Sequence, residues 1–423
     1  MKLSLPAPLR RLRSGVAITA AKVATSASRV TGRGSGGMIG GLVANAVDPD
    51  IMATLINDRP TILVTGTNGK STTTRMLAAA IRSSHTVATN EGGDNMDAGI
   101  ISALLATRDA SHVVLEVDEL HVPSAIERLK PQALVLLNLS RDQLDRVGEI
   151  NKIERVLREA VKSRPEMTVI ANCDDVLVTS VAYDAKNVIW VSAGTGWQGE
   201  SVTCPRTESR IIHEGEHWRA AKPLIDGRTF ERPTPTWQVE GDQLHSPFGD
   251  LTLDLNLPGQ ANRGNAAQAI AAATVFDIPA AQSLAAVNAV DNVAGRYSTI
   301  TVGEHQVHLL LAKNPAGWQE ALSMVDRSAE GLVIAVNGQV ADGEDLSWLW
   351  DVRFEDFENL EVKASGERGT DLAVRLTYAE ITHELISDPV DAIRACPPGR
   401  VEVLANYTAF RDLKKALEKG SEN

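Results

Sequence analysis

At 423 residues, 43% hydrophobic and 23% charged, the chain is too long for one ordinary domain and has the make-up of a folded globular protein, so two or three domains are expected. A net charge of -12 and a sequence pI near 5.3 exclude a general nucleic-acid binder, which needs a basic surface to displace counterions from phosphates.

The N-terminal arm reverses that balance. Seven basic side chains (Lys2, Arg10, Arg11, Arg13, Lys22, Arg29 and Arg33) precede the first acidic residue, Asp48. Arg and Lys interrupt every apolar run of the arm, whereas a secretory signal needs an apolar core of roughly 7 to 15 residues. A cytoplasmic protein is therefore expected. A mitochondrial presequence shares this acid-poor composition. For the arm itself two readings stay open: contact with anionic lipid at the inner face of the membrane, or a solvated helical arm packed on the main domain. No stretch of roughly 18 uninterrupted apolar residues occurs, so no transmembrane segment is expected.

From residue 60 short β-branched runs alternate with helical patterns: Thr61 to Thr65, a helix to about Ser84, His112 to Val117 and Ala133 to Asn138. Further apolar runs follow at Thr168 to Ala171 and Val188 to Ser192. This alternation predicts a parallel sheet covered on both faces. Residues 194 to 250 turn to Gly, Pro, Trp and charge and read as an inserted β-rich excursion. An alanine-rich helix, Asn262 to Phe276, leads back to the main domain. A second series, with runs at Val307 to Ala312, Leu332 to Val336, Leu360 to Val362 and Val401 to Leu404, predicts a smaller Rossmann-like domain. The expected division is a basic arm with leading helices over 1–59, a central domain over 60–294 with its insertion at 194–250, and a C-terminal domain over 295–423. Gly295 marks the join.

The sharpest local signal is Thr65-Gly66-Thr67-Asn68-Gly69-Lys70-Ser71-Thr72, which follows a strand and opens a helix. That is the setting of a P-loop. Backbone N–H groups of Thr67 to Thr72 would face phosphate oxygens, Lys70 would neutralise β/γ charge, and Ser71 would ligate Mg2+. The strict pattern places glycine five residues before Gly69, where this chain has Val64. Magnesium also needs a carboxylate. Glu116, ending its strand at the sheet's carboxyl edge, is the candidate, with Asp118 and Glu119 read as a solvated acidic turn.

Three scattered cysteines, Cys173, Cys204 and Cys396, suit a reducing compartment and are too few for a four-thiolate zinc site.

The short Gly-Thr-Asn-Gly-Lys-Ser form resembles the P-loop of Mur ligases and folylpolyglutamate synthetases. Asn90-Glu-Gly-Gly-Asp-Asn95, Asn172-Cys-Asp-Asp175 and Leu257-Pro-Gly-Gln-Ala-Asn262, leading to Asn265, are also similar to Mur ligases. The segments 138–149, 311–317 and 341–351 resemble the MurT branch of that family. The resemblance implies an α/β fold with a Mur ligase-type central P-loop domain and a smaller Rossmann-like C-terminal domain. It implies that Asn262 and Asn265 read the adenine of ATP; an asparagine capping the helix is the alternative for Asn262. Arg296 would touch ATP or, alternatively, make a salt bridge at the domain junction.

The implied activity is ATP-dependent amidation of the α-carboxylate of D-isoglutamate in the lipid II stem peptide. Ammonia would come from a GatD-like class I glutaminase subunit in a heterodimer, with lipid II met at the membrane surface. Asp345 matches the aspartate that MurT lends to the partner's catalytic triad; a carboxylate capping the helix at Leu346 is the alternative. Too few residues precede the P-loop for the uridine-nucleotide domain of ordinary Mur ligases, which fits a lipid-linked substrate. Family members carry two cysteine pairs in an inserted zinc ribbon, and here only Cys204 is kept, so no zinc is expected. A metal-free hairpin held by Trp197, Trp218 and Trp237 should stand in its place. The competing functions are a self-sufficient amino-acid ligase of the folylpolyglutamate or classical Mur type, and a nucleotide-binding scaffold.

Overall fold

The computed structural model describes residues 7–30, 38–90, 93–140, 149–194, 202–290, 297–340, 342–343, 345–355 and 361–421. Two compact units form, one from residues 1–139 with 150–291, the other from 140–149 with 292–423.

In the first unit three helices, α1 (Ala7–Val30), α2 (Ile39–Val47) and α3 (Ile51–Ile56), lead to β1 (Thr61–Thr65). All five residues of β1 are buried, the condition that lets a strand be apolar without alternation. The chain then runs α4 (Lys70–Arg82), β2 (Val87–Thr89), α5 (Asp97–Ala106), β3 (His112–Glu116), α6 (Val122–Leu129) and β4 (Ala133–Leu136). It continues through α7 (Glu149–Lys162), β5 (Thr168–Asn172), α8 (Val176–Ala182) and β6 (Asn187–Ser192). The unit is completed by β7 (Ile211–Glu214), β8 (His217–Ala220), β9 (Trp237–Glu240), β10 (Gln243–His245), β11 (Leu251–Thr252), α9 (Gln260–Ala273) and α10 (Ala280–Asn288).

The main sheet has nine strands in the order β11-β10-β9-β6-β5-β4-β1-β3-β2. It is parallel from β2 to β9 and antiparallel at β10 and β11. Leu63, Val113, Leu115, Leu134 and Val169 pack one face against α3, α5, α6 and α7. Ile62 and Val64 alternate to the opposite face, where α4 packs on α9 and α10. Because β1 lies between β3 and β4, the strand order reverses at its carboxyl end, the crevice where open α/β sheets take ligands.

The excursion over 194–250 is not one insertion. Among the described residues only β7 and β8 stand apart, as a two-stranded sheet. β9 pairs in parallel with β6, so β9 to β11 extend the main sheet. The tryptophans divide accordingly. Trp218 is buried among Val176, Cys204, Ile211 and Phe230, and its indole donates to Cys173 O at 3.1 Å. Trp237, in β9, meets Phe248 at 6.0 Å between centroids, and Trp197 lies outside the described residues. The hairpin is thus held by Trp218 and Phe230, because pairing to β6 draws Trp237 into the sheet.

The second unit contains β12 (Tyr297–Val302), β13 (His305–Leu311), α11 (Pro315–Met324), β14 (Gly331–Ala335), a 3-10 turn Ser347–Trp350, β15 (Val362–Ser365), α12 (Gly369–Tyr378), β16 (His383–Leu385), α13 (Pro389–Arg394), β17 (Gly399–Ala405) and α14 (Tyr407–Ser421). Its sheet runs β12-β13-β17-β14-β15-β16 and is parallel except for the β12/β13 pair. Trp318, Trp348 and Phe354 fill the core on one side, Phe410 and Ile393 on the other.

Candidate active site

The turn after β1 demands its two glycines. Gly66 has φ 140, and a Cβ there would stand 2.9 Å from Leu137 Cβ. Gly69 has φ 82, and a Cβ would stand 2.6 Å from Asn265 Oδ1. Both the left-handed backbone and the crowding exclude side chains. Asn138, just past β4, clamps the turn: its O accepts from Thr67 N at 2.9 Å, its Oδ1 from Asn68 N at 2.9 Å, and its Nδ2 donates to Asn68 O at 3.0 Å. The amides of Thr67 and Asn68 are therefore engaged by Asn138. Among the described residues, the amides of Lys70, Ser71 and Thr72 in the first turn of α4 have no carbonyl four residues back within the helix and can face an anion.

Lys70 is the first residue of α4. Its Nζ donates to Gly66 O, to Thr67 O at 3.2 Å and to Glu119 Oε2 at 3.4 Å. Glu119 is buried, with 8% of its surface exposed, so the acidic turn is not a solvated one. Only Asp118 behaves as expected there, half-buried and accepting from Leu120 N at 3.1 Å. The ion pair explains the difference: a carboxylate packed against the Lys70 ammonium can leave water.

Glu116 ends β3 in register with Val64 of β1, one residue before Thr65 and Gly66, and is 4% exposed. Asn90 holds its backbone from both sides, Nδ2 to Glu116 O at 2.8 Å and Glu116 N to Asn90 Oδ1 at 2.8 Å. Its carboxylate accepts from Asn95 Nδ2 at 3.2 Å, and no cation pairs with it among the described residues. A buried carboxylate with one amide for company is strongly disfavoured unless a cation completes its surroundings. Ser71 sits nearby in α4, its Oγ 4.0 Å from where a Cβ on Gly93 would stand, in the loop that carries Asn95. Glu116 and Ser71 offer oxygen donors of the kind a magnesium ion takes.

The start of α9 closes the site from the other face. Gly259, with φ 97, caps the helix, and Asn262 lies three residues inside it. Asn262 is therefore not the cap: its Nδ2 donates to Pro258 O at 2.6 Å while its Oδ1 accepts from Asn265 Nδ2 at 3.4 Å. Asn265 is 7% exposed and lies against Gly69, so the start of α9 meets the glycine turn through this asparagine. Gln268, buried, donates to Leu136 O at 3.0 Å and ties α9 to β4. Arg296 lies outside the described residues.

Asp175 is half-buried. It accepts from Leu139 N, Leu177 N and Val178 N at 2.8, 2.8 and 2.9 Å, capping α8 and fixing the chain just beyond Asn138. Burial pushes its carboxyl up to about 6 against those three donors. Beside it Asp174 meets Arg232 at 2.7 Å, and burial raises its carboxyl too.

All three cysteines are buried and free. Burial and the neighbouring Asp174 raise the Cys173 thiol, and burial raises Cys396 to about 11. Neither is poised as a thiolate nucleophile. Cys204 sits in the apolar cluster under Trp218.

In the second unit Asp345 is exposed, and its Oδ1 accepts from Ser347 N at 2.8 Å, which opens the 3-10 turn. The first residue of that turn is Ser347, not Leu346. Arg375 of α12 fixes the turn from below, donating to Leu349 O at 3.0 Å, Val352 O at 2.7 Å and Glu355 Oε1 at 2.7 Å. The preceding loop is anchored where Asp342 accepts from Thr408 N at 3.1 Å at the start of α14. Glu344 lies outside the described residues.

Sequence reasoning found the turn and Glu116 but read no role for Glu119, Asn138 or Gln268. Asn138 alone carried a signal, being the residue just past a strand at the carboxyl edge.

Comparison with known proteins agrees with this architecture. The Mur ligase middle domain family matches residues 64–273 and the MurT ligase C-terminal family residues 311–410. The lipid II isoglutaminyl synthase (glutamine-hydrolyzing) subunit MurT of Staphylococcus aureus is 27% identical over 97% of this chain and 99% of its own. The subunit of the same name from Streptococcus pneumoniae is 26% identical over 91% and 93%. Among solved structures, a pseudomurein peptide ligase type C from Methanothermus fervidus superposes with TM-score 0.67 at 18% identity, covering 88% of this chain and 81% of that one. MurF ligase from Thermotoga maritima in complex with ADP gives 0.60 at 13%, covering 90% and 84%. A P-loop lacking the usual first glycine, a nine-stranded sheet that switches direction beside it, and family matches over both halves converge: the chain belongs to the Mur ligase family, in its MurT branch.

Proposed function

We propose that this chain is the synthetase subunit of a lipid II isoglutaminyl synthase. It would use ATP and Mg2+ to amidate the α-carboxylate of D-isoglutamate in the lipid II stem peptide, with ammonia from glutamine hydrolysed by a GatD-like partner. The observation that carries the reading is that Lys70 opens the helix after the glycine turn while Glu116, buried and with no cation paired to it among the described residues, ends the neighbouring strand β3 in register with Val64.

In this reading an oxygen of the substrate carboxylate attacks the γ-phosphorus of ATP, the bond to the β–γ bridging oxygen breaks, and ADP leaves. Ammonia then adds to the acyl carbon, loses a proton, and phosphate departs as the C–O bond breaks. Little of this requires covalent help from the protein, so the work is positioning and charge. Lys70 and the first-turn amides of α4 would hold the terminal phosphates, Ser71 and Glu116 would hold the metal ion that screens their charge, and Asn262 and Asn265 would read the adenine. Arg296 is proposed as a further contact to ATP. The central region 60–294 would carry this chemistry and 295–423 the contact with the glutaminase, where the exposed Asp345 would orient the partner's histidine and stabilise its charged form. The buried cysteines, with raised thiols at Cys173 and Cys396, support an external source of ammonia.

Reconstitution tests the proposal. With a GatD-like subunit, ATP, magnesium, glutamine and lipid II, mass spectrometry should detect amidated lipid II. Unchanged lipid II from a verified complex, or ATP consumption by the chain alone with an amino acid as acceptor, would overturn it.

A further inference from the structure

Helices α1 and α2 pack the wrong way round for a surface that meets only water. In α1 the buried residues Ser14, Ala17 and Ala21 are small, 4%, 0% and 1% exposed, with Ile18 half-buried against the same core. The large apolar residues Leu9, Leu12, Val16 and Val23 are 51%, 66%, 54% and 64% exposed. Their spacing of three, four and seven places them on one stripe of the helix, opposite the inward face. α2 repeats the inversion: Gly40, Gly41 and Ala44 are buried while Ile39 and Leu42 are 41% and 56% exposed. The inward fit is tight, since a Cβ on Gly40 would stand 2.4 Å from Thr25 Oγ1 and one on Gly41 would collide with Ala98 O. The helices are also latched, with Arg13 on Asp48 at 2.5 Å and on Asp50 at 2.8 Å, and Ser14 donating to Asp48 at 2.6 Å. Turning the helices over to bury the stripe would break these contacts.

Charge selects the occupant. The chain carries a net charge of -12, yet α1 contains no acidic residue. Arg11 and Lys22, both exposed, lie eleven residues apart and hence on nearly the same side of the helix, flanking the apolar stripe. An apolar stripe beside basic side chains on a helix without acids is the pattern of segments that lie in the interface of anionic bilayers. Among the described residues no helix is long and apolar enough to cross a membrane, so the contact is with the surface.

We infer that α1 and α2 dock this protein on an anionic lipid bilayer, α1 lying in the headgroup region with Leu12 and Val23 toward the acyl chains and Arg11 and Lys22 against lipid phosphates. The inference does not depend on the ligase reading.

The test is co-sedimentation of the full chain with vesicles of phosphatidylglycerol mixed into phosphatidylcholine, and with phosphatidylcholine alone. Wild type should bind the anionic vesicles at least about tenfold more tightly and lose binding as salt rises. L12E/V23E should weaken binding about tenfold or more while keeping wild-type circular dichroism and Mg-ATP affinity. R11Q/K22Q, which leaves the apolar packing untouched, should do the same through charge alone. Wild type left in the supernatant with anionic vesicles, or L12E/V23E binding as wild type does, overturns the inference. So does a result in which L12E/V23E abolishes self-association or retention of a glutaminase subunit and leaves vesicle binding unchanged, since the stripe would then face protein.

Discussion

Lys70 donates to two carbonyls of its own turn and to Glu119, and a triphosphate entering the turn must compete with that carboxylate for the ammonium. The pair is largely shielded, 12% and 10% exposed at the side chains, but 3.4 Å apart and so of modest strength. Replacing the carboxylate by an amide of the same shape removes the competitor without opening a cavity. Glu119→Gln should therefore tighten ATP binding about fivefold, the equivalent of roughly 1 kcal/mol for a partly buried pair. Titration calorimetry with and without magnesium reads the outcome. Weaker binding only when magnesium is present would instead place Glu119 among the groups that hold the metal ion, and Lys70 would need another account.

At the scale of elements, two local devices hold the site's frame. Asp175 links the end of β4 to the start of α8 through three amides, and an asparagine there can offer only one acceptor oxygen. The Leu139 N–H would then face an NH2 group, so Asp175→Asn should cost about 1–3 kcal/mol. The sign of its pH dependence follows from the raised carboxyl. A folded pKa of about 6, above the unfolded value near 3.9, means the folded state holds the extra proton between them. Asp175 thus favours folding most at the acid end, and that contribution fades as pH rises through about 4 to 6. The deficit of Asp175→Asn against wild type should be larger at about pH 4.5 than at about pH 7 in denaturant melts, and a deficit independent of pH would mean that Asp175 keeps an ordinary pKa. The hairpin β7/β8 is the second device. Trp218 supplies both its core and a bond to Cys173 O, so Trp218→Ala should cost about 3–5 kcal/mol, whereas a strong zinc chelator should leave the melting temperature unchanged. A chelator-induced drop would restore a structural metal to this segment.

The same scale shows what could be read in advance. The runs of β1, β3, β4 and β5 were legible because burial on both faces makes them continuously apolar. β12, with its alternating Ser and Thr, and the short polar β16 carry no such run. The glycine turn was legible because its backbone needs are local, and Glu116 because it ends an apolar strand. Glu119 was not, since its burial depends on Lys70, forty-nine residues away in sequence. The split of the excursion at β9 depends on pairing with β6, again a tertiary choice.

At the scale of the whole molecule the proposed reaction needs two chemistries that no single residue serves: activation of a carboxylate in the first unit, and delivery of ammonia through a partner met by the second. Separate lesions should therefore give separate phenotypes. Lys70→Ala would remove the cation proposed to hold the transferring phosphate, and should reduce amidation about a hundredfold or more whether the nitrogen comes from glutamine or from free ammonium, with partner binding intact. Asp345→Asn keeps a side-chain oxygen to accept from Ser347 N, so the exposed 3-10 turn should keep its shape while the carboxylate charge is lost. Glutamine-dependent amidation should then fall about a hundredfold or more, while amidation from ammonium stays near wild type. Measuring both nitrogen sources on both variants, with complex formation checked by size-exclusion chromatography, distinguishes the roles. If Asp345→Asn leaves glutamine hydrolysis untouched, Asp345 does no more than start its turn, and the partner's histidine must find its carboxylate elsewhere.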